Sequence, residues 1–224
     1  GYERMVIYSR DEHKQEKMAQ EFDHSSKLRF FIGDVRDQQR LELALHGIHT
    51  VVHAAAMKIV PTAEYNPTEC IATNITGAEN VIKASIRCGV KKVLALSTDK
   101  AVNPVNLYGA TKLCAEKVFV AANALSAGSC AFSVMRYGNV VGSNGSVVPV
   151  FSRLLKNGSP LTVTDKRMTR FWITMDQAIW FSLQSLHLMK GREIFIPKIP
   201  SVKINDLALT MVRANPIPGS IGIL

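Results

Sequence analysis

The 224-residue sequence predicts a doubly wound α/β fold, in which helices cover both faces of a parallel sheet. Two observations predict it: apolar runs of strand length alternate with helix-length stretches, and these runs are apolar on both sides. Five such strands are predicted, at residues 5–9, 29–33, 50–56, 92–97 and 132–137. In this fold class, ligands bind at the carboxyl ends of the strands.

Helix-like stretches separate these strands, with short connections between the elements. They cover residues 11–23, 37–46, 68–88 and 106–124. Helices in these positions are the expected crossovers between parallel strands.

The pattern changes after Gly142. The predicted elements there are a helix at 149–158, a strand at 161–164, a polar loop at 165–174, a helix at 175–190, a strand at 193–198 and a helix at 204–213. This segment is too short for an independent domain, so we expect it to cap the sheet and close over a ligand. We therefore divide the chain into a dinucleotide-binding region, 1–141, and a substrate-binding region, 142–224, that is interleaved with the last sheet elements.

The charge of the chain favours an anionic partner. The formal net charge is +9, but the lysines and arginines are spread along the sequence without a basic run or interleaved aromatic residues. A phosphorylated metabolite is therefore favoured over nucleic acid as the partner. A fragment that has lost acidic segments would also be basic.

The cysteines, the histidines and the apolar stretches argue against a disulfide framework, a metal centre and a membrane span. The four cysteines form no C-x-x-C pair and predict reduced thiols in a cytoplasmic protein. The six histidines lack ligand spacing, so no metal centre is expected. The longest apolar stretch, 118–135, is interrupted by Asn123, Ser126 and Gly128, which excludes a membrane span there.

Both ends of the sequence predict a fragment. A sheet that binds a dinucleotide normally opens with a strand and a Gly-rich turn, whereas this chain begins at what looks like the second strand and contains no G-x-G-x-x-G. The other end, 214-ANPIPGSIGIL-224, is an apolar, turn-rich tail that completes no fold element. We expect the first strand and its Gly-rich loop to be missing and the C-terminal region to be truncated.

Ser9 and Arg10 end the first predicted strand. An acidic residue at this place would bind the ribose 2′-hydroxyl of NAD, whereas an arginine favours the 2′-phosphate of NADP. The alternative is a helix start, with Ser9 or Asp11 as the cap and Arg10 in solvent. Taken with the rest of the chain, NADP is favoured.

The next two strands end in further candidates for cofactor binding. Asp34 could accept a hydrogen bond from an adenine amino group while Val35 packs against the ring; alternatively, Asp34 or Asp37 only caps the following helix. The following strand ends in Ala54, Ala55 and Ala56, whose small side chains would let the backbone approach a ribose and phosphates. Small residues also occur wherever a helix packs tightly on a sheet.

The segment 97-STDKAVNPVNLYGATK-112 carries the most information. Tyr108 and Lys112 fall one helical turn apart on one face. A nearby ammonium lowers the pKa of a phenol, so that tyrosinate can act as a base near neutral pH. An isolated Tyr and Lys at this spacing would normally lie on a solvent-exposed helix face. Here, however, a buried strand ends just upstream, and Asp99 and Lys100 follow it.

This segment resembles the extended short-chain dehydrogenase/reductase superfamily, whose fold is Rossmann-like. Within it, the T-D-K-A-V-N-P string and the Y-x-x-x-K spacing are similar to the soluble, inverting UDP-N-acetylglucosamine 4,6-dehydratases that begin pseudaminic acid synthesis. The similarity extends through 5–15, 33–37, 53–58, 136–149 and 167–174. Two departures are the absent Gly-rich turn and the absent C-terminal R-P-G-E-K-type segment. Membrane-anchored relatives that retain configuration at C5 usually carry Met at the position of Tyr108, so Tyr108 indicates the soluble branch.

The resemblance implies a role for each polar group of the segment. Tyr108 and Lys112 would contact the cofactor and take the proton of the 4-hydroxyl, with Thr98 bonded to the same oxygen. Lys100 as a neutral amine would remove the C5 proton, and Asp99 as a carboxylic acid would protonate the departing 6-hydroxyl. Reprotonation of C5 from the opposite face would invert the sugar.

Four further residues are expected to bind the nucleotide-sugar. Asn139 ends the last strand, Lys58 could contact both cofactor and substrate, and Arg167 with Arg170 could neutralise the UDP diphosphate. The alternative for the two arginines is a solvated loop. Relatives assemble as oligomers, so a homo-oligomer is expected, although no interface is identified.

Two other functions stay open at this stage. A nucleotide-sugar 4-epimerase would need Tyr108 and Lys112 but would have no use for Asp99 and Lys100. A non-catalytic NADP-binding regulator or scaffold would need none of the five catalytic groups, all of which are present.

Overall fold

The structure is a computed structural model that describes residues 2–143 and 145–215. It forms two compact units. Unit 1 comprises the residues up to Met135 together with Ser185–Phe195, and unit 2 comprises Arg136–Gln184 and the residues from Ile196 onward. Most of the predicted C-terminal tail lies outside the described residues.

Unit 1 contains the parallel strands. Its first elements are, in chain order, β1 Met5–Ser9, α1 Glu12–Glu21, β2 Leu28–Ile32, α2 Gln38–Leu45, β3 Thr50–His53, α3 Val60–Tyr65, α4 Pro67–Ile71 and a π-helical turn Ala72–Thr76. These are followed by α5 Gly77–Arg87, β4 Lys92–Leu96, a 3₁₀ turn Asp99–Ala101, α6 Leu107–Leu125 and β5 Ala131–Met135. The last strand of unit 1, β8 Ile194–Phe195, comes from the later segment Ser185–Phe195. Strands β1 and β2 form one parallel pair, and β3-β4-β5-β8 form a four-stranded parallel sheet. The predicted α/β class with parallel strands is confirmed.

The register of the four-stranded sheet aligns the ends of β4 and β5. Val93 pairs with Phe132, and Leu96 pairs with Met135. Val93, Phe132 and Val134 are fully buried and join Phe119 of α6 in one hydrophobic core. Because this sheet is parallel, the residues that follow β3 and β4 meet at one edge of it.

Helix starts in unit 1 are fixed by polar caps. Asp11 accepts a hydrogen bond from the backbone of Lys14 at 3.0 Å to begin α1, and Asp37 accepts from the backbone of Arg40 at 2.9 Å to begin α2. Such caps satisfy backbone N–H groups that have no partner within the helix.

Unit 2 is built on a three-stranded sheet. Its elements are β6 Asn139–Val140, α7 Val147–Lys156, β7 Thr169–Ile173, β9 Ser201–Lys203 and α9 Ile204–Ala214, with α8 Met175–Leu188 beginning in this unit. Strand β7 pairs parallel with β6 and antiparallel with β9. Phe151, Leu155, Leu161 and Ala208 form its buried core.

Several predicted boundaries are wrong in unit 1. β3 ends at His53, so Ala54, Ala55 and Ala56 lie beyond the strand. The helix predicted at 68–88 is interrupted by the π-helical turn, which inserts extra residues into the helix to direct polar groups toward the next element. An additional helix, α3, precedes it.

Two predictions are wrong in unit 2. The strand predicted at 161–164 does not form: Leu161 makes an isolated β-bridge, residues 162–164 form no strand, and Leu161 and Val163 are buried in the core. The loop predicted at 165–174 contains β7, since the alternating residues of TRFWI pair with β6 and β9, partners distant in sequence. Within the described part of the chain, no helix combines the length and apolar character needed to cross a membrane.

Candidate active site

A hydrogen-bonded turn follows β4. Thr98 is in extended backbone conformation and caps the 3₁₀ turn; its Oγ1 accepts from the backbone N–H of Lys100 at 3.3 Å and donates to Asp99 Oδ1 at 2.9 Å. The same carboxylate oxygen accepts from Lys100 Nζ at 3.0 Å. The structure therefore brings the three predicted residues of this turn into one polar cluster.

Asp99 and Lys100 form a partly exposed acid–base pair. Their side chains are 26% and 34% exposed, so both remain accessible to a substrate. Lys100 Nζ and Asp99 Oδ1 are joined by the 3.0 Å hydrogen bond, so the turn presents a basic and an acidic side chain side by side.

The first turn of α6 packs directly on this cluster. Asn106 caps the helix by accepting from the backbone of Gly109 at 2.8 Å. A Cβ on Gly109 would overlap the carbonyl oxygen of Lys100, so only glycine allows this close approach. Tyr108, which is half-buried, precedes Gly109 and therefore lies in the same turn. The contact fixes the position of Tyr108's turn relative to Lys100.

Lys112 lies one helical turn beyond Tyr108 and is 6% exposed. Its Nζ donates a hydrogen bond to the carbonyl of Leu96, the last residue of β4, at 2.7 Å. Burial lowers the pKa of Lys112 to about 8, and the negative charge of Glu116 acts in the opposite direction. The ammonium is therefore held at the end of β4, on the helix that carries Tyr108.

Three buried polar residues near Lys112 were not predicted. Glu116 accepts a hydrogen bond from Ser97 Oγ at 2.5 Å, and both side chains are almost fully buried. The ring of His53, at the end of β3, lies 5.6 Å from that of Phe119. Burial, reinforced by the charge of Lys112, lowers the pKa of His53 to about 3, so this imidazole is neutral. The four-residue spacing from Lys112 to Glu116 was the available signal in the sequence.

Asn74 is a further unpredicted residue of this region. It lies in the π-helical turn, is 2% exposed, and exchanges two hydrogen bonds with the backbone of Met57, at 2.8 and 3.0 Å. Its amide also donates to Thr111 Oγ1 at 3.0 Å, and Thr111 donates to the carbonyl of Tyr108 at 2.9 Å. Asn74 thus links the loop after β3 to the turn of α6 that carries Tyr108.

The predicted cofactor residues at the ends of β1 and β2 lie together. Arg10 pairs with Asp34 at 3.3 Å, and Arg36 donates to the same carboxylate from Nη2 at 2.7 Å. Partial burial raises the pKa of Asp34, but hydrogen bonds from Arg36 outweigh it and lower the pKa overall. Both oxygens of Asp34 already accept hydrogen bonds from these arginines or their backbone.

Val35 and Ser9 both contact other residues of the chain. Val35 is 8% exposed and belongs to the hydrophobic core, where a Cβ on Gly77 would overlap it. Ser9 Oγ accepts from the backbone of Asp11 at 3.1 Å. Of this group, Arg10 presents the most exposed side chain, at 60%.

The alanines after β3 form an open backbone segment. Ala54 and Ala55 are exposed, Ala56 is half-buried, and Lys58 is exposed. The small side chains leave the backbone of this segment exposed at the edge where β3 and β4 end, which is the edge at which a dinucleotide binds in this fold class.

The predicted substrate residues Asn139, Arg167 and Arg170 lie in unit 2. Asn139 begins β6, opposite Trp172 of β7, and within the described residues its buried Oδ1 has no hydrogen-bond partner. Arg167 pairs with Asp165 at 2.8 Å and is 91% exposed, whereas Arg170 is half-buried in β7 and donates to the carbonyl of Thr169.

The polysaccharide biosynthesis protein family matches the chain over residues 1–220. The chain belongs to this family. One relative, the inverting UDP-N-acetylglucosamine 4,6-dehydratase of Campylobacter jejuni, is 59% identical over 207 residues, which cover 92% of this chain and 62% of that protein. The resemblance found in the sequence is thereby confirmed.

A second relative in the comparison carries a different name. The UDP-glucose 4-epimerase of Rickettsia typhi is 46% identical over 203 residues, which cover 90% of this chain and 59% of that protein. The chain thus spans about three fifths of the length of these two relatives.

Solved structures share the fold. Pen from Bacillus thuringiensis is 40% identical and superposes with a TM-score of 0.94, covering 99% of this chain and 71% of that one. DesIV, the dTDP-glucose 4,6-dehydratase of Streptomyces venezuelae with NAD and TYD bound, is 20% identical with a TM-score of 0.90, covering 100% and 76%. Since the second identity is low, DesIV supports the fold alone.

Proposed function

We propose that the whole protein is an NADP-dependent, inverting 4,6-dehydratase that acts on UDP-N-acetylglucosamine. The observation that carries this proposal is the Asp99–Lys100 pair, held by Thr98 at the end of β4 and packed against the first turn of α6. An elimination requires an acid and a base side by side, and this turn supplies both. The 59% identity to the C. jejuni enzyme supports the same function.

The first step is oxidation of the 4-hydroxyl. Tyr108, as tyrosinate, takes the hydroxyl proton, and the ammonium of Lys112 favours the ionised phenol. Thr98 donates a hydrogen bond to the same oxygen as it becomes a ketone. A bound nicotinamide would supply the hydride chemistry, which is oxidation at C4 and reduction at C6.

The second step is loss of water from C5 and C6. The ketone makes the C5 proton acidic, and Lys100 removes it as a neutral amine while Asp99, as a carboxylic acid, protonates the leaving 6-hydroxyl. The products of this step are the ammonium and the carboxylate, the ion pair seen in the structure. One proton transfer from Lys100 to Asp99 restores the reactive pair.

The third step sets the configuration of the product. Addition of a hydride at C6 would complete the methyl group, and C5 takes a proton from water on the face opposite Lys100, which inverts that centre. Tyr108 then releases the proton that it took from the 4-hydroxyl and neutralises the hydroxide left by that water, so the net change is loss of one water. The product is a UDP-2-acetamido-2,6-dideoxy-4-keto-hexose. It suits the first reaction of a pseudaminic-acid-type pathway.

Arg10 supports NADP as the cofactor. Its guanidinium is exposed at the end of β1, where a ribose 2′-phosphate is expected, and its partner among the described residues is Asp34. A phosphate dianion would offer Arg10 a stronger charge-assisted contact than this 3.3 Å pair. Asp34, Val35 and the alanines 54–56 would then border the adenosine and phosphates.

The nucleotide-sugar is assigned to Lys58, Asn139, Arg167 and Arg170. The Oδ1 of Asn139, which has no hydrogen-bond partner in the described part of the chain, suits a sugar hydroxyl or an N–H donor of the ligand. The exposed guanidinium of Arg167 suits the diphosphate. We further propose that the protein acts in the cytoplasm, which agrees with its four free cysteines, and that it forms homo-oligomers.

The second candidate function is 4-epimerisation of a UDP-sugar. It is favoured by the 46% identity to the R. typhi protein. An epimerase would use Tyr108 and Lys112 and would leave Asp99 and Lys100 without a chemical role.

Mass spectrometry of UDP-N-acetylglucosamine incubated with the whole protein and NADP⁺ distinguishes the two functions. Loss of one water without net reduction of the cofactor is the expected result. An unchanged mass with an altered sugar configuration would assign the protein as an epimerase. No change in mass or configuration, with NADP bound, would contradict both and leave the non-catalytic regulator.

A further inference from the structure

Glu116 is a buried carboxylate that the proposed reaction does not use. Its side chain is 2% exposed, and it is surrounded by the apolar residues Ala95, Phe119 and Val134. Burying a charge is costly unless it is paired and hydrogen-bonded. A carboxylate in this place therefore requires polar or charged partners that offset the cost of its burial.

Two polar groups near Glu116 come from α6 and β4. On its own helix, Lys112 lies one turn away, and its positive charge interacts with the carboxylate. From the end of β4, Ser97 Oγ donates a hydrogen bond to Glu116 at 2.5 Å. Val134 of β5, which lines the same buried region, is apolar.

Glu116 opposes the effect of burial on Lys112. Burial favours the neutral amine, and the hydrogen bond to the Leu96 carbonyl brings no negative charge to Lys112. The carboxylate of Glu116 restores part of the preference for the ammonium. Without that carboxylate, Lys112 would lose its proton closer to neutral pH and could no longer favour ionised Tyr108.

Glu116 also contacts the chain just before the acid–base turn. Ser97 separates Leu96, which accepts from Lys112, from Thr98, which caps the turn. The bond from Ser97 to Glu116 therefore holds the backbone between these two residues against α6. The Glu116 side chain therefore acts on both the Lys112 ammonium and the turn that Thr98 caps.

We propose that Glu116 is a positioning residue that keeps Lys112 in the ammonium form and anchors Ser97 at the start of the Thr98–Lys100 turn. The role in catalysis rests on the function proposed above. The effect on the protonation of Lys112 does not, because it is a property of the folded protein.

The direct test is a pH titration of Lys112 by NMR in the whole protein labelled with ¹³C at the lysine side chains. The signal is assigned by its loss in Lys112→Arg. In Glu116→Gln, which keeps the size and removes the charge, we expect the pKa of Lys112 to fall by about one unit or more, a tenfold weaker hold on the proton. Glu116→Asp, which keeps the charge, should give a smaller fall.

Glu79→Gln is the control, because it removes one exposed carboxylate from α5 and should leave the Lys112 titration in place. If Glu116→Gln does not fold, Glu116→Met gives the same comparison without a buried amide. Titration of Lys112 at the same pH in the wild type and in the uncharged variant would overturn the proposal.

The second readout is the pH dependence of turnover. The rate falls at high pH as Lys112 loses its proton, and in Glu116→Gln this fall should begin about one pH unit lower, with KM for the UDP-sugar unchanged. A purely structural role would lower the rate equally at every pH and would contradict the proposal. If the wild type lacks dehydratase activity, the proposed function fails, and the NMR titration still decides the role of Glu116.

Discussion

The carboxyl end of β4 and the carboxyl ends of β1 and β2 carry charged groups in opposite surroundings. At β4, Lys112 and Glu116 are almost fully buried, and each has a hydrogen-bond partner in Leu96 or Ser97. At β1, Arg10 is 60% exposed, and its partner within residues 2–143 and 145–215 is Asp34, at 3.3 Å. Buried charges are screened little by salt, whereas exposed ones are screened strongly. Substitutions at β4 should therefore have large effects that resist salt, and those at β1 small effects that salt weakens.

The largest effect is expected at Lys100. Lys100→Ala removes the base that takes the C5 proton, and general-base catalysis contributes about 10²–10⁴-fold in rate. Loss of water from UDP-N-acetylglucosamine, measured by mass spectrometry, should fall by that factor. Lys91→Ala, at an exposed lysine before β4, is the matched control. Undiminished water loss in Lys100→Ala would remove this lysine from the elimination.

The stability of the protein at acid pH tests whether His53 is buried as a neutral imidazole. A folded-state pKa of about 3, against an ordinary 6.5, means that the unfolded chain binds a proton first as the pH falls. The stability this provides is complete above pH 6.5 and is lost toward pH 3. Between pH 7.5 and 4.5 the free energy of unfolding should fall by about 3 kcal/mol more in the wild type than in His53→Leu.

Urea unfolding at the two pH values measures this difference. His49→Gln, at an exposed histidine just before β3, is the control and should follow the wild type. Equal acid sensitivity of His53→Leu and the wild type would show that His53 is accessible to protons in the folded state.

A methyl group at Gly109 tests the packing of the acid–base turn. Gly109→Ala places a Cβ on the carbonyl oxygen of Lys100, so the turn or the helix start must move. We expect a loss of about 1–3 kcal/mol in the free energy of unfolding, as for overpacked sites. Ala110→Ser, at the next and half-buried position, controls for changes at the helix start. Thermal unfolding with no change in Gly109→Ala would contradict the close contact.

The smallest effect is expected at Arg10. Arg10→Ala removes one exposed contact to the 2′-phosphate and should raise the Kd for NADP about tenfold, with the Kd for NAD unchanged. Calorimetric titrations at low and high salt measure both, and the difference between variant and wild type should shrink at high salt. Arg29→Ala, at an exposed arginine of β2, is the control. A parallel loss of NAD and NADP affinity would argue against a 2′-phosphate at Arg10.

The sequence predicted the parts of the site that depend on local patterns. β4 and α6 were placed within one residue at each end, because a buried apolar run and a long helical pattern identify such elements strongly. The Y-x-x-x-K spacing and the adjacent Asp99 and Lys100 were visible for the same reason. The positions of these residues are set by neighbours that are close to them in the sequence.

The features that were missed depend on distant parts of the chain. β7 forms because β6 and β9 pair with it, and no local pattern in the polar sequence around it shows those partners. The π-helical turn places Asn74 against Met57 and Thr111, a contact that a regular helical reading of 68–88 would not give. The burial of Glu116 against Ser97 depends on how α6 packs on β4, which no local sequence pattern shows.

The close approach of Gly109 to the Lys100 carbonyl has a consequence for the order of events on one sugar. Tyr108 and Lys100, the two bases of the proposed reaction, belong to segments joined by backbone contact, so the spacing between their backbones is fixed. A hexose bound there would meet its second base without leaving the first. A reactive 4-keto intermediate would then be consumed where it is made, and little of it would escape into solution.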